Sequence, residues 1–212
     1  MIRTGHAARR YVLTLAAALL AAALGACTGV PPKPIGPPNQ AAWQQRLTRL
    51  ATLGDWRLSG RIAVDNGSRG GSGSIDWVEH APRFEMRFAG PFGLGGFRLY
   101  GTPSAIFIDT GDKTYYAADP EHALAKRLGG PLPVASLRYW ALGMPDPEGR
   151  AQTRVDQDGL LRNLQQHGWT VEYRNYGTFD GWRLPTRLEA RRGQTKIKLV
   201  VEGWKVPAGV QN

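Results

Sequence analysis

One residue in this sequence has both the chemistry and the setting to be modified covalently. Cys27 is the only cysteine in 212 residues. It directly follows Leu24-Gly25-Ala26, and small residues before a cut suit a signal peptidase. A thiol placed just after such a cut is the acceptor for a diacylglyceryl group, the arrangement called a lipobox. The residues ahead of it fit. Arg3, Arg9 and Arg10 make a positive start without an acidic residue, and Tyr11 to Ala23 is apolar except for Thr14. That run is shorter than the roughly 20 residues a permanent membrane helix needs, and has the length of a signal-peptide core. The reading is a lipoprotein signal over residues 1–26 and lipidation at Cys27.

The rest of the sequence offers little to a reaction. A single cysteine excludes an internal disulfide, a cysteine-based metal site and a second thiol nucleophile. His80, His122 and His167 form no spaced cluster and sit where surface turns or helix starts are expected. Gly-x-Ser-x-Gly, His-Glu-x-x-His and phosphate-cradling glycine loops are absent. Asp156 and Asp158 precede Gly159, but the later ligands of a calcium loop are missing, so a plain turn is expected. No catalytic residue, metal or cofactor is predicted.

The charge is basic, with 27 Lys and Arg against 17 Asp and Glu. Removing the three arginines of residues 1–26 leaves 24 against 17, a net +7. In the cytosol that balance would point to nucleic acid. In the cell envelope it points instead to anionic lipid or an acidic protein, or to a solvated surface with no specific partner.

The elements that must position any site follow the anchor. Residues 27–38 form a tether, with five prolines between Thr28 and Pro38 that forbid helix and sheet. In polyproline II it would reach roughly 30 Å. Residues 39–212 form a single domain. Asn39 can cap a helix through about Leu53, with Trp43, Leu47 and Leu50 on one face. From Trp56 the apolar period changes to two. Trp56, Leu58, Gly60, Ile62 and Val64 alternate with polar or small residues, and so do Gly73, Ile75 and Trp77; Phe84, Met86 and Phe88; and Phe97 and Leu99. A hairpin is expected to turn at Gly111-Asp112. Pro120–Leu128 and Pro133–Leu142 read as short helices, the second with Val134, Leu137, Trp140 and Ala141 on one face. Strand alternation returns at Trp169, at Leu184 and at Lys196, whereas Leu160 to Gln166 is ambiguous.

Many short strands with few helices predict a mainly β fold: a curved antiparallel sheet bent into a half-open barrel under a helical lid. Its interior is either packed solid or encloses a hydrophobic cavity, and the seven tryptophans suit both. One connection is unusual. Gly90-Pro91-Phe92-Gly93-Leu94-Gly95-Gly96 has the glycines and proline of an exposed loop yet carries Phe92 and Leu94. An apolar tip on a lipid-anchored chain suggests contact with membrane or partner; the alternative is that Phe92 folds back onto the core.

Taken in order, these segments resemble the LolB family of outer-membrane lipoproteins. The likeness rests on the lipobox, on Trp56-Arg57-Leu58-Ser59-Gly60-Arg61-Ile62-Ala63-Val64, on Gly73-Ser74-Ile75-Asp76-Trp77 and on Gly90-Pro91-Phe92-Gly93. It continues through Ser136 to Pro145, Gly168 to Tyr173, Leu184-Pro185, Lys196 to Leu199, and Trp204. The resemblance implies a half-barrel whose cavity takes the acyl chains of lipoprotein cargo from the periplasmic carrier LolA and passes them to outer-membrane lipid. It implies a monomer anchored in the outer membrane and facing the periplasm, with no nucleic acid, nucleotide or metal involved. Phe92 stands where familiar members carry leucine, so Phe92 and Leu94 become the membrane-contact loop, and Trp140 and Leu137 the candidate cavity and lid residues. Thr28 is compatible with sorting to the outer membrane. The remaining alternative is an envelope lipid-binding or structural lipoprotein that has no carrier partner.

Overall fold

The computed structural model describes residues 37–90, 95–117, 120–128 and 130–207. The signal segment 1–26, Cys27 and most of the tether lie outside the described residues, as do Phe92 and Leu94.

Helix α1 (Gln40–Ala51) begins where its cap predicts, with the Asn39 side chain accepting from the Ala42 N–H at 3.0 Å. It buries Trp43 and Leu50. Eleven strands follow in one antiparallel sheet: β1 (Asp55–Asp65), β2 (Gly70–His80), β3 (Arg83–Ala89), β4 (Phe97–Thr102), β5 (Ala105–Asp109), β6 (Thr114–Ala117), β7 (Ala151–Val155), β8 (Leu161–Gln166), β9 (Trp169–Phe179), β10 (Trp182–Arg192) and β11 (Thr195–Lys205). Their spatial order is β6-β5-β4-β3-β2-β1-β11-β10-β9-β8-β7. The first and last strands therefore meet at the centre.

Period-two alternation selects the concave face. Leu58 pairs with Trp77, Trp77 with Met86, Met86 with Leu99 and Leu99 with Ile108, a row of buried side chains across five strands. On the other half Val64 pairs with Ile197, then Ala190, Val171 and Leu164 follow, all buried. All seven tryptophans are buried.

The topology also explains the lid. β6 and β7 are opposite edges of the sheet, so the chain between them must cross from one edge to the other. Helices α2 (Pro120–Leu128) and α3 (Val134–Leu142) lie in that crossing. Leu124, Leu137, Trp140 and Ala141 are fully buried, so the crossing packs onto the concave face. α3 stops at Gly143, whose φ of 79° is left-handed; its N–H reaches the carbonyls of Trp140 and Tyr139, a conformation glycine adopts without strain.

The two ends of the barrel differ. The connections β1–β2, β3–β4, β5–β6, β8–β9 and β10–β11 all fall at one end, hereafter the mouth. At the other end α1 spans three turns. The Asn39 N–H donates to the Asp156 carbonyl, Arg49 donates to the Gly181 carbonyl, and the Ala81 N–H donates to the carbonyl of Gly54, just beyond the helix.

One expectation needs correction, and one open segment resolves as strand. His80 and Glu79 are not in a turn but are the last residues of β2, and the turn is Ala81-Pro82. The ambiguous segment is strand β8, paired to β9 across a two-residue turn in which His167 and Gly168 both have positive φ, 51° and 74°. Those dihedrals match the twist of a tight hairpin, and that pairing overrides the helical spacing of its leucines.

Candidate functional site

At the mouth the concave face holds a pocket of about 420 Å³. Ile62 and Val64 of β1 line one side, and Phe88 and Phe97 another. Those two rings stack at 4.6 Å with 17° between their planes. The pocket is open because of the strand between them. On β2 the inward positions opposite Val64 and Ile62 are Gly71 and Gly73, so no side chain fills the space. Gly73 is also required by backbone packing, since a Cβ there would sit 2.1 Å from the Ala89 carbonyl oxygen. Among the described residues no ionisable side chain lines the pocket. Such a lining can receive an alkyl chain. Gly90 and Gly95, which bracket residues 91–94, both line it, so the loop bearing Phe92 and Leu94 springs from the pocket rim.

Trp140 and Leu137 are both fully buried beneath the lid, and neither lines this pocket. The Trp140 ring packs edge-on to Trp169 at 6.1 Å. Its Nε1 donates to the Gln166 side-chain oxygen at 3.1 Å, which also accepts from the Asp146 N–H at 2.9 Å. Gln166 in turn donates to the Asp146 carbonyl at 2.7 Å, and the Ser136 hydroxyl donates to the Asp146 carboxylate at 2.7 Å. Tyr173 donates to the Trp140 carbonyl at 3.0 Å, and burial raises that phenol far above its usual range. A buried polar network satisfied this fully fixes one arrangement. Here it pins α3 to β8 and β9.

A second tie holds the other side of the lid. Glu79 occupies an inward position of β2 with 1% exposure. Its carboxylate accepts from Trp77 Nε1 at 3.1 Å and pairs with the guanidinium of Arg138 on α3. Burial pushes its pKa up to about 7, against the pull of Arg138 and of the Trp77 hydrogen bond. The sequence held one sign of it: the alternation Gly73, Ile75, Trp77 makes position 79 inward, where a glutamate needs a partner.

The histidines do not assemble. His80 Nδ1 lies 2.7 Å from an exposed Asp55 oxygen, and His167 Nε2 lies 3.3 Å from Asp146 at the other end of the barrel. His122 is exposed on α2. Asp156 serves a turn. Burial would raise it, but hydrogen bonds from the Leu160 N–H, Arg162 and the Asp158 N–H outweigh that and lower its pKa. Among the described residues no group of three His, Cys, Asp or Glu side chains could hold a metal ion, and no helix is long and apolar enough to cross a membrane.

Comparison with known proteins agrees with this architecture. A solved LolA superfamily protein from Nitrosomonas europaea has a TM-score of 0.52, with 81% of this chain and 94% of that one covered at 8% identity. A DUF1329 family protein from Desulfovibrio piger has a TM-score of 0.57 at 10% identity, covering 82% and 95%. At such identities the likeness concerns the fold. Sequence relatives are nearer. The outer-membrane lipoprotein LolB of Stutzerimonas stutzeri is 35% identical over 194 residues, 90% of this chain and 94% of its own. That of Chromohalobacter salexigens is 32% identical over 188 residues, 89% and 88%. The family model described as outer membrane lipoprotein LolB matches residues 54–204, which runs from the start of β1 nearly to the end of β11 and takes in the pocket, the loop and the lid. With that match spanning the whole sheet, the chain belongs to the LolB family of outer-membrane lipoproteins.

Proposed function

We propose that this protein receives the acyl chains of lipoproteins from the periplasmic carrier LolA in its concave pocket and releases them into the outer membrane. It works without a nucleotide, metal or catalytic residue, as a monomer lipidated at Cys27 and facing the periplasm. The observation that carries the reading is the apolar pocket at the mouth. Among the described residues it has no ionisable lining, and Gly90 and Gly95 on either side of the loop with Phe92 and Leu94 stand at its rim.

The energetics suit an exchange. Each buried methylene contributes about 0.8 kcal/mol. A carrier, a receptor and a bilayer that bury the same chains progressively better make transfer downhill at every step. The pocket supplies the intermediate stage, and the loop brings it to the lipid. A phenylalanine moved from water into lipid contributes about 1.5–3 kcal/mol, too little to anchor a protein and enough to orient a tethered one.

The test combines purified carrier loaded with a labelled lipoprotein, the receptor and liposomes, followed by flotation. The wild-type chain should deliver label to the liposomes. Phe92→Glu should accept cargo and stall, because a carboxylate in the apolar layer is costly. Normal delivery by Phe92→Glu would remove the loop from the mechanism. Failure of the wild-type chain to take cargo from the carrier would leave a lipid-binding or structural lipoprotein instead.

A further inference from the structure

Among the described residues, three large hydrophobic side chains are exposed: Phe107 at 37%, Tyr115 at 44% and Tyr116 at 62%. All three lie on one hairpin, β5–β6, at the edge of the sheet. Buried strands alternate apolar and polar residues, but here the aromatics occupy both faces. Tyr115 is opposite Ile108 on the inward side, and Tyr116 is opposite Phe107 on the outward side. The outward rings continue as a ladder, Tyr100 to Phe107 at 5.4 Å and Phe107 to Tyr116 at 5.6 Å.

The position of this hairpin narrows its partner. Its turn, with exposed Lys113, is at the mouth end, next along the sheet from the β3–β4 loop. The hairpin turn and the residues flanking that loop are neighbours in space as well, because Ala89, Gly96 and Phe97 share a groove of about 570 Å³ with Thr110 and Gly111.

We infer that the β5–β6 hairpin is a second membrane-contact element, resting in the headgroup layer of the bilayer beside the Phe92 loop. Tyrosine and phenylalanine favour that layer because an apolar ring meets a polar boundary there. A strand of four residues, Thr114–Ala117, presents far less than the roughly 800 Å² per partner of a stable protein interface. It therefore suits a surface that the anchor already keeps close better than it suits a second copy of the chain. Aromatics on both faces of an edge hairpin also fit a slab, which surrounds what enters it, better than a partner that covers one face. Two contact points next to each other fix the tilt of the mouth, which a single loop cannot. The inference rests on the membrane role proposed for the loop.

The test uses the full lipidated chain in liposomes of phosphatidylethanolamine and phosphatidylglycerol. Cys27 is acylated, so a single added thiol can carry an environment-sensitive fluorophore. Tyr116→Cys reports the hairpin, Phe92→Cys the loop, and Ser104→Cys the exposed turn at the far end of β5. Lipids carrying a quencher near the headgroup give the depth. The expected result is quenching of the position-116 probe at least half as strong as that at position 92, with no quenching at position 104. Quenching at position 92 with none at position 116 overturns the hairpin inference and leaves the loop reading intact. No quenching at either position overturns both. Equal quenching at positions 116 and 104 shows a surface lying flat, which also excludes an oriented contact. A position-116 probe that responds to loaded carrier and not to lipid would assign the hairpin to the carrier and overturn the inference.

Discussion

Replacing Glu79 by glutamine gives a test of how the lid is held that can be read without any cargo. The carboxyl titrates near 7 in the fold, against 4.5 as its ordinary value. The folded protein therefore binds that proton about 3 kcal/mol more tightly than the unfolded chain does. The direction follows from proton counting. Between pH 4.5 and 7 the folded state holds a proton that the unfolded state has released, so stability falls as pH rises through this window. The contribution is complete below 4.5 and gone above 7. Glutamine keeps the acceptor for Trp77 Nε1 and for Arg138 but cannot titrate. Every other carboxylate is common to the two proteins and cancels in their difference. Urea unfolding of both at several values between pH 4.5 and 8 gives that difference directly. Wild type should gain about 2–3 kcal/mol on the glutamine variant as pH falls across the range. A difference that stays flat would show that Glu79 is not buried as a desolvated carboxyl, and with that the tie between α3 and β2 would fail.

Three other substitutions probe the scaffold. Trp140→Ala should cost about 3–5 kcal/mol in chemical unfolding, because it removes a fully buried ring and one of the two hydrogen bonds accepted by the Gln166 side-chain oxygen; a loss under 1 kcal/mol with altered uptake of a fluorescent fatty acid would instead make Trp140 a wall of the ligand site. Gly73→Ala should lose more than 1 kcal/mol and weaken β2–β3 amide protection in hydrogen exchange, since its Cβ would meet the Ala89 carbonyl at 2.1 Å. Cys27→Ala, exported by an ordinary cleavable signal, should give a folded soluble protein with an unchanged melting temperature; a large drop relative to the lipidated protein in detergent would show that the anchor supports the fold.

The strands were readable because a half-buried sheet writes its inward face directly into the sequence. Trp56, Leu58, Ile62 and Val64 are all buried in β1, as their alternation requires. The helix ends were readable for a local reason too, since Asn39 and Gly143 satisfy backbone groups within a few residues of themselves. What stayed hidden depends on distant partners. An apolar face on α3 says that Trp140 is covered, but not that Gln166, 26 residues on, meets its ring nitrogen. Glu79 and Arg138 are separated in the chain by four strands and a helix. The pocket was hard to foresee for another reason: it is made of missing side chains, and although Gly73 keeps the alternation of its strand, nothing in the sequence says that the space over it and Gly71 stays empty. Part of the basic surface is committed to ion pairs, which the net charge already counts. Arg57, Arg98 and Arg162 hold Asp76, Asp109 and Asp156 at 2.5–2.8 Å.

The interior is graded from end to end, and the grade bears on the release proposed above. Away from the mouth, Trp56 packs against Trp77 at 4.9 Å and against Trp204 at 5.4 Å, and α1 runs across the turns beyond them. Toward the mouth the inward positions shrink from Trp77 through Ile75 to Gly73 and Gly71 on the same strand. Free space therefore begins where the tryptophans end. A chain lodged in it contacts β1, β3 and β4 but cannot pass the aromatic cluster without displacing three buried rings. Moving close-packed buried rings aside is costly, so on the proposed function entry and exit would share the mouth. Binding of this kind is shallow by construction. A bilayer that reaches the rim at Gly90 and Gly95 can bury the same methylenes more completely than the pocket does, and it needs to open nothing except its own headgroups.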